Sequence, residues 1–200
     1  EVLSGKSIIH VHSYRQDELL AFMRLTREFG IVPVFHHVSE GYKVADEMAA
    51  MGAGASTFPD YWGFRFETAD GIPYNMALMT RQGVVVSLGS DSSAGAPNLN
   101  IDAVKAVRYG ALSESEALQL VTLNPARQMR VQQRIGSLEP GKDADFVLWS
   151  DHPLSVQAKV LQTWIDGRRY FDADEDRREQ ARIERERARL IDKVRGAAAP

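Results

Sequence analysis

Four of the five histidines in this 200-residue chain fall in two short apolar runs, "IIHVHS" with His10 and His12 and "VPVFHHVS" with His36 and His37. A third such run, "GVVVSLGSD", ends on Asp91. Imidazoles and carboxylates can hold a divalent cation between them, and a carboxylate can also carry a proton to or from a reacting group. The chain has no cysteine, which excludes disulfides, thiolate metal sites and a thiol nucleophile. Tyr14, Arg15, Tyr42 and Lys43 follow the two histidine runs, within reach of a substrate carbonyl or carboxylate bound there. His152, just before Pro153, reads as a surface turn residue.

The elements that place these residues alternate. "KSIIHVH" is rich in β-branched residues, and "QDELLAFMRLTREFG" follows as a helix with Leu19, Leu20, Phe22 and Met23 on its apolar face and Gly30 as its stop. "IVPVFHH" is a second strand. "SEGYKVADEMAAMG" is a helix with Ser39 as N-cap and Gly52 at its end, and "AGASTF" is a third strand. The aromatic loop "DYWGFRFETADGIPY" is either a lid over a substrate or a buried plug, and a helical turn then leads into "GVVVSLGSD". Strand and helix in alternation imply βαβ units and a parallel sheet.

His12 and His37 stand 25 residues apart, the length of one strand, one helix and two loops, and each ends its strand, as Asp91 ends a later one. In a (β/α)8 barrel the chemistry gathers at that end. Because side chains alternate along a strand, His10 and His12 point the same way, with His10 about 6.6 Å deeper. The same rule turns Phe35 and His37 inward and His36 toward the helices. On the last strand it turns Val85, Ser87, Gly89 and Asp91 inward.

A formal charge of -3 and a pI near 6.0 supply no field for nucleic acid, and no apolar run reaches the roughly 20 residues that span a bilayer. The compartment stays open. The opening "EVLSGKSIIHVH" lacks an initiator methionine and reads as the interior of a longer protein. Downstream, Asn124-Pro125 is expected to start a helix with Asn124 as its cap, a turn falls at Pro140-Gly141, and "KVLQTWIDGRRYF" is a hairpin turning at Asp166-Gly167. Residues 174–195 carry seven acidic and eight basic residues interleaved, a solvated helix with i,i+4 pairs. Its thin stripe of Ile183, Leu190, Ile191 and Val194 suits docking on the barrel or on a second subunit, and "GAAAP" is expected to fray. The expected divisions are 1–132, 133–172 and 173–200.

Five of these motifs, in this order, resemble the amidohydrolase superfamily over about residues 1–171, closest to its imidazolonepropionase-like and Xaa-Pro dipeptidase-like branch. "VHSYRQDE" is similar to the family's fifth-strand pattern, "HHVSEGYKVADE" to its sixth and "GSDS" to its eighth. "TLNPA" and "GSLEPGKDADFVLW" are similar to its C-terminal signature. The resemblance implies an α/β fold: the second half of a (β/α)8 TIM barrel, strands five to eight, then strands of a small β-sandwich and a charged helix. It implies His12, His37 and Asp91 as ligands of one or two divalent ions, most simply zinc, with Asp91 also moving protons to and from the reacting groups. His10, Tyr14, Arg15 and Tyr42 become candidate substrate contacts. The implied reaction is hydrolysis of a C–N bond in an amide, lactam or dipeptide. The implied partners are a small-molecule or short peptide substrate and further copies of the chain. The family's first-strand H-x-H and fourth-strand lysine or glutamate have no counterpart here, so the chain alone is expected to be incomplete as a catalyst. The alternative is a non-catalytic barrel fragment acting as a binding or association module.

Overall fold

The computed structural model describes residues 1–197, in two compact units, 1–142 and 143 onward. Of the "GAAAP" end expected to fray, residues 196–197 continue the last helix, and 198–200 lie outside the described residues.

The first unit is built on a parallel sheet in the order β1 (His10–Ser13), β2 (Val34–His37), β3 (Gly54–Thr57), β4 (Val85–Leu88). Successive strands are joined by α1 (Gln16–Glu28), α2 (Ala45–Met51) and α3 (Asn75–Arg81). After β4 come α4 (Leu99–Gly110), α5 (Glu114–Gln119) and α6 (Leu123–Gln128). This is the expected mixed α/β alternation. The helix-side core is aliphatic and thioether-rich: Leu19 and Met23 of α1, Met48 of α2, Met76 and Met79 of α3 and Val86 of β4 are all buried.

Two expected caps are not caps. Ser39 precedes a single 3-10 turn, Gly41–Lys43, and α2 starts only at Ala45 with Val44 before it. Gly41 sits in that turn because a Cβ there would lie 2.4 Å from Met79 Sδ and 2.6 Å from Val38 Cγ1, leaving no room for a side chain. Asn124 lies inside α6, whose N-cap position is Thr122, and its amide donates instead to the Val86 carbonyl at 2.8 Å.

The alternation rule also fails at one strand. His12 is in register with His36, and Ser13 with His37, so His36 shares the face of His12. Phe35 is fully buried on the opposite face and meets Phe22 of α1 edge-on at 6.1 Å. His37 rejoins the His12 side through a left-handed backbone, φ 75°, which strand geometry does not anticipate.

The segment α5–α6 closes the outer side of β4. Gly89 N–H donates to Thr57 O, so the odd-numbered residues of β4 bond toward β3 and the even ones away from it. On the outward side Leu88 N–H donates to Leu120 O at 3.0 Å, and Val86 O accepts from Asn124. Gln128 then braces two strands. Its Oε1 accepts from Ser87 Oγ at 2.7 Å, and its Nε2 donates to Ala55 O at 2.9 Å and Val85 O at 2.8 Å. The Gln128 amide, Ser87 Oγ and Ala55 O are withdrawn from water, where an amide without partners is costly, and Val85 is half-buried.

The second unit is an antiparallel sheet, β5 (Phe146–Trp149), β6 (Val160–Ile165) and β7 (Arg168–Asp172), with α7 (Ala173–Ala197) packed on β6 and β7. The hairpin turns where the sequence placed it. Asp166 and Gly167 both take positive φ, 50° and 69°, the pair of angles a two-residue type I′ turn requires. Phe146 and Trp164, opposite each other in register, stack at 5.6 Å. Asp172 caps α7 by accepting from Asp174 N–H at 3.0 Å and Glu175 N–H at 3.1 Å.

Candidate active site

The C-terminal tips of β1 and β2 bring two imidazoles into contact, with His12 Nδ1 at 2.7 Å from His37 Nε2. The bend that makes this possible runs through His37 and Val38, both at positive φ (75° and 49°), a conformation that costs a non-glycine residue about 1–3 kcal/mol. Local hydrogen bonds hold it. Thr57 Oγ1 donates to His37 O at 2.7 Å, Asn75 Nδ2 donates to Val38 O at 2.8 Å, and Val38 N–H donates to Ser13 O at 2.9 Å. Asn75 Oδ1 also accepts from Tyr42 N–H at 2.9 Å, so one buried amide ties α3 to the segment after β2.

Below this pair lies a second one, His10 Nδ1 and His36 Nε2 at 2.8 Å, and the His12 and His36 rings stack at 5.3 Å with 16° between their planes. The crowding favours the neutral rings of His36 and His37. Burial, reinforced by His10, His12 and His37, lowers His36 to about 4, with Asp91 opposing. Burial and then His12 lower His37, Asp91 again opposing and Arg65 adding to the fall. Neutral imidazoles offer lone pairs, the form in which histidine binds metal. His37 Nδ1 is buried and has no hydrogen-bond partner, an orphaned nitrogen of the kind an absent ligand leaves.

Aromatic rings cover His37. Tyr14 stacks on it at 4.4 Å, 6° from parallel, and Phe58 lies at 5.1 Å, with Tyr61 against Phe58 at 4.6 Å. The loop that supplies Tyr61 is not a buried plug: Tyr61, Trp62, Phe64 and Phe66 are exposed. Tyr61 Oη donates to Ser90 O at 3.1 Å, tying this loop to the residue before Asp91.

Asp91 follows β4 in a left-handed conformation, φ 44°, and is exposed. Its charge is felt at His36 and His37. Among the described residues no three His, Asp or Glu side chains are grouped closely enough to hold an ion by themselves. The contact is therefore between histidines, with the carboxylate standing off from them.

The candidate substrate contacts divide. His10 is bonded to His36, and Tyr14 lies flat on His37. Arg15 pairs with Asp17 at 3.0 Å and stands over the Phe66 ring at 5.2 Å. Tyr42 Oη donates to Asp70 O at 3.1 Å, and Lys43 pairs with Asp70 at 2.6 Å and Glu40 at 3.4 Å, so both are engaged within the chain. Sequence reasoning missed Thr57, Asn75 and Arg65. A threonine closing a strand and an asparagine opening a helix are too common to stand out, and Arg65 lay inside a loop read for its rings alone.

The amidohydrolase family model matches residues 4–171. The amidohydrolase tasK of Hapsidospora irregularis is 31% identical over 176 residues, 85% of this chain and 18% of that protein. The imidazolonepropionase of Picrophilus torridus is 27% identical over 150 residues, 73% of this chain and 36% of that one. Among solved structures, an amidohydrolase from Thermotoga maritima MSB8 superposes with a TM-score of 0.80 at 33% identity, covering 86% of this chain and 45% of its own. The chain thus spans less than half the length of each of these proteins.

Proposed function

Because the chain belongs to the amidohydrolase family, we propose that it is part of a metal-dependent enzyme that hydrolyses a C–N bond in an amide, lactam or dipeptide. On this reading β1–β4 are strands five to eight of an eight-stranded barrel, β5–β7 belong to a small sandwich, and the rest of both lies elsewhere in a longer protein. The coverage of under half of each relative supports that arrangement.

The observation that carries the proposal is the His12–His37 contact at 2.7 Å between residues from successive strand tips, with the Nδ1 of His37 buried and unpartnered. By type, two histidines and a carboxylate are donors a divalent ion takes, zinc above all; with Asp91 standing off, the ion would be held by His12 and His37 together with groups from the rest of the protein. Such an ion supplies a water that ionises near neutral pH and an electrophile for the scissile carbonyl. The chain's own groups do the rest. Asp91, exposed at its strand tip, takes a proton from the attacking water and returns it to the leaving nitrogen. Tyr14 and the rings beyond it exclude water from one side of His37 and give the substrate an apolar wall.

Metal content after extended dialysis against zinc-free buffer tests the assignment. In the full-length protein the wild type should retain zinc, while His12→Ala and His37→Ala should each lose most of it. Equal zinc in all three would refute these ligands.

The same reading includes self-association. On α7 the exposed Ile183, Leu190, Ile191 and Val194 recur with helical spacing, and arginine and glutamate side chains flank them. Sedimentation or light scattering should show an oligomer in wild-type protein that Leu190→Glu dissociates; a wild-type monomer would end the idea.

A further inference from the structure

The cations around the two strand tips are neutralised with one exception. Arg15 pairs with Asp17, Lys43 with Asp70 and Glu40, and Lys105 with Asp60 and Asp102. Arg65 has no carboxylate within ion-pairing distance among the described residues, and it is exposed. It is nevertheless held in place. Its guanidinium lies 4.4 Å from the centre of the Phe64 ring and 5.3 Å from that of Tyr14. Aromatic faces grip the plane of a guanidinium and leave its edge, where the N–H donors point, free to bind. The Tyr14 ring is the same one that stacks on His37 at 4.4 Å, so a single aromatic ring separates the unpaired charge from the histidine pair. Thr68 fixes the backbone beneath it, accepting from Arg65 N–H at 3.3 Å and donating to Arg65 O at 3.1 Å.

We propose that Arg65 is a specificity-determining residue that receives a carboxylate of the substrate, at a short linker's distance from the scissile C–N bond. This rests on the hydrolase reading for what is cleaved, but the anion site itself is a matter of binding. A planar, pre-oriented fork with no carboxylate partner among the described residues matches a carboxylate bidentately, and a neutral amide of the same shape offers it only one good acceptor. Substrates with a free acid near the reacting bond are therefore selected over their amides and esters.

Titration calorimetry of the zinc-loaded protein with N-acetylglycine and N-acetylglycinamide as probes separates the two ideas. Wild type should prefer the acid by about tenfold or more, in line with a charge-assisted pair. Arg65→Met keeps the aliphatic stacking and drops the charge, and it should bind acid and amide alike. Arg65→Lys should keep part of the preference, which a merely structural arginine would not do. Equal binding of the two probes by wild type, or an undiminished preference in Arg65→Met, overturns the proposal. Zinc content of the same samples reports on the hydrolase reading independently, since Arg65 is not among the proposed ligands.

Discussion

Replacing Asp91 with asparagine in the full-length, zinc-loaded enzyme is expected to lower kcat by about 10²–10⁴-fold, the usual worth of a positioned acid or base. Asparagine is the informative substitution because of the backbone. Asp91 sits at φ 44°, and asparagine adopts the left-handed region more readily than other residues with a Cβ, so the strand tip should keep its shape. It is also isosteric, so what disappears is the charge and the capacity to accept a proton. Turnover is to be measured across N-acyl amino acids, Xaa-Pro dipeptides and small lactams, with circular dichroism to confirm folding. A variant that matches wild type on its best substrate would remove Asp91 from the chemistry. Asp91→Ala should be worse in a second way, because alanine gains nothing at that φ and the loop should loosen.

Gln128→Leu is expected to destabilise the first unit by about 1–3 kcal/mol. Leucine fills a similar volume but satisfies nothing: it strands Ser87 Oγ and removes the second partner of Ala55 O and Val85 O, which keep their bonds in the β3–β4 ladder, at a site that is 8% exposed. Each buried polar group left without its partner costs about 1–3 kcal/mol. Urea denaturation followed by fluorescence gives the comparison, with Ser87→Ala as the partner variant. Ser87→Ala deletes only the hydroxyl that Gln128 Oε1 accepts from, and should cost about 1 kcal/mol. Loss of less than about 0.5 kcal/mol in Gln128→Leu, the scale of an ordinary surface change, would show that the brace has little energetic weight.

Much of this was legible in the residues. Hydrophobic runs and breakers marked the four parallel strands, and Asp166-Gly167 marked its hairpin because few dipeptides tolerate two successive positive φ angles. His12 and His37 were singled out by their places at strand ends, and the structure puts them in contact. What failed did so for local reasons. The period of two predicts faces only while the strand is regular, and His37 leaves it at φ 75°, which sent both His36 and Phe35 to the wrong sides. Ser39 and Asn124 have the chemistry of caps, but tertiary bonding claimed Asn124, and the 3-10 turn at Gly41–Lys43 displaced the helix start that Ser39 was to cap. Gln128 could not be found at all, since nothing local distinguishes a glutamine that will reach the sheet from one that will face water.

The brace made by Gln128 also sets an order of events in time. It joins residues 73 positions apart, Gln128 and Ala55, and the outer side of β4 is completed by Leu120 and Asn124 of the same late segment. During synthesis, then, all four strands leave the ribosome before these late partners, and the Leu88 N–H and Val86 carbonyl of β4 wait for them. Closing so long a loop is slow compared with forming any single βα unit, so completion of the first unit waits on its own last third. Until α6 arrives the outer edge of β4 lacks these partners, and an unpaired strand edge is where a nascent sheet is most exposed to association.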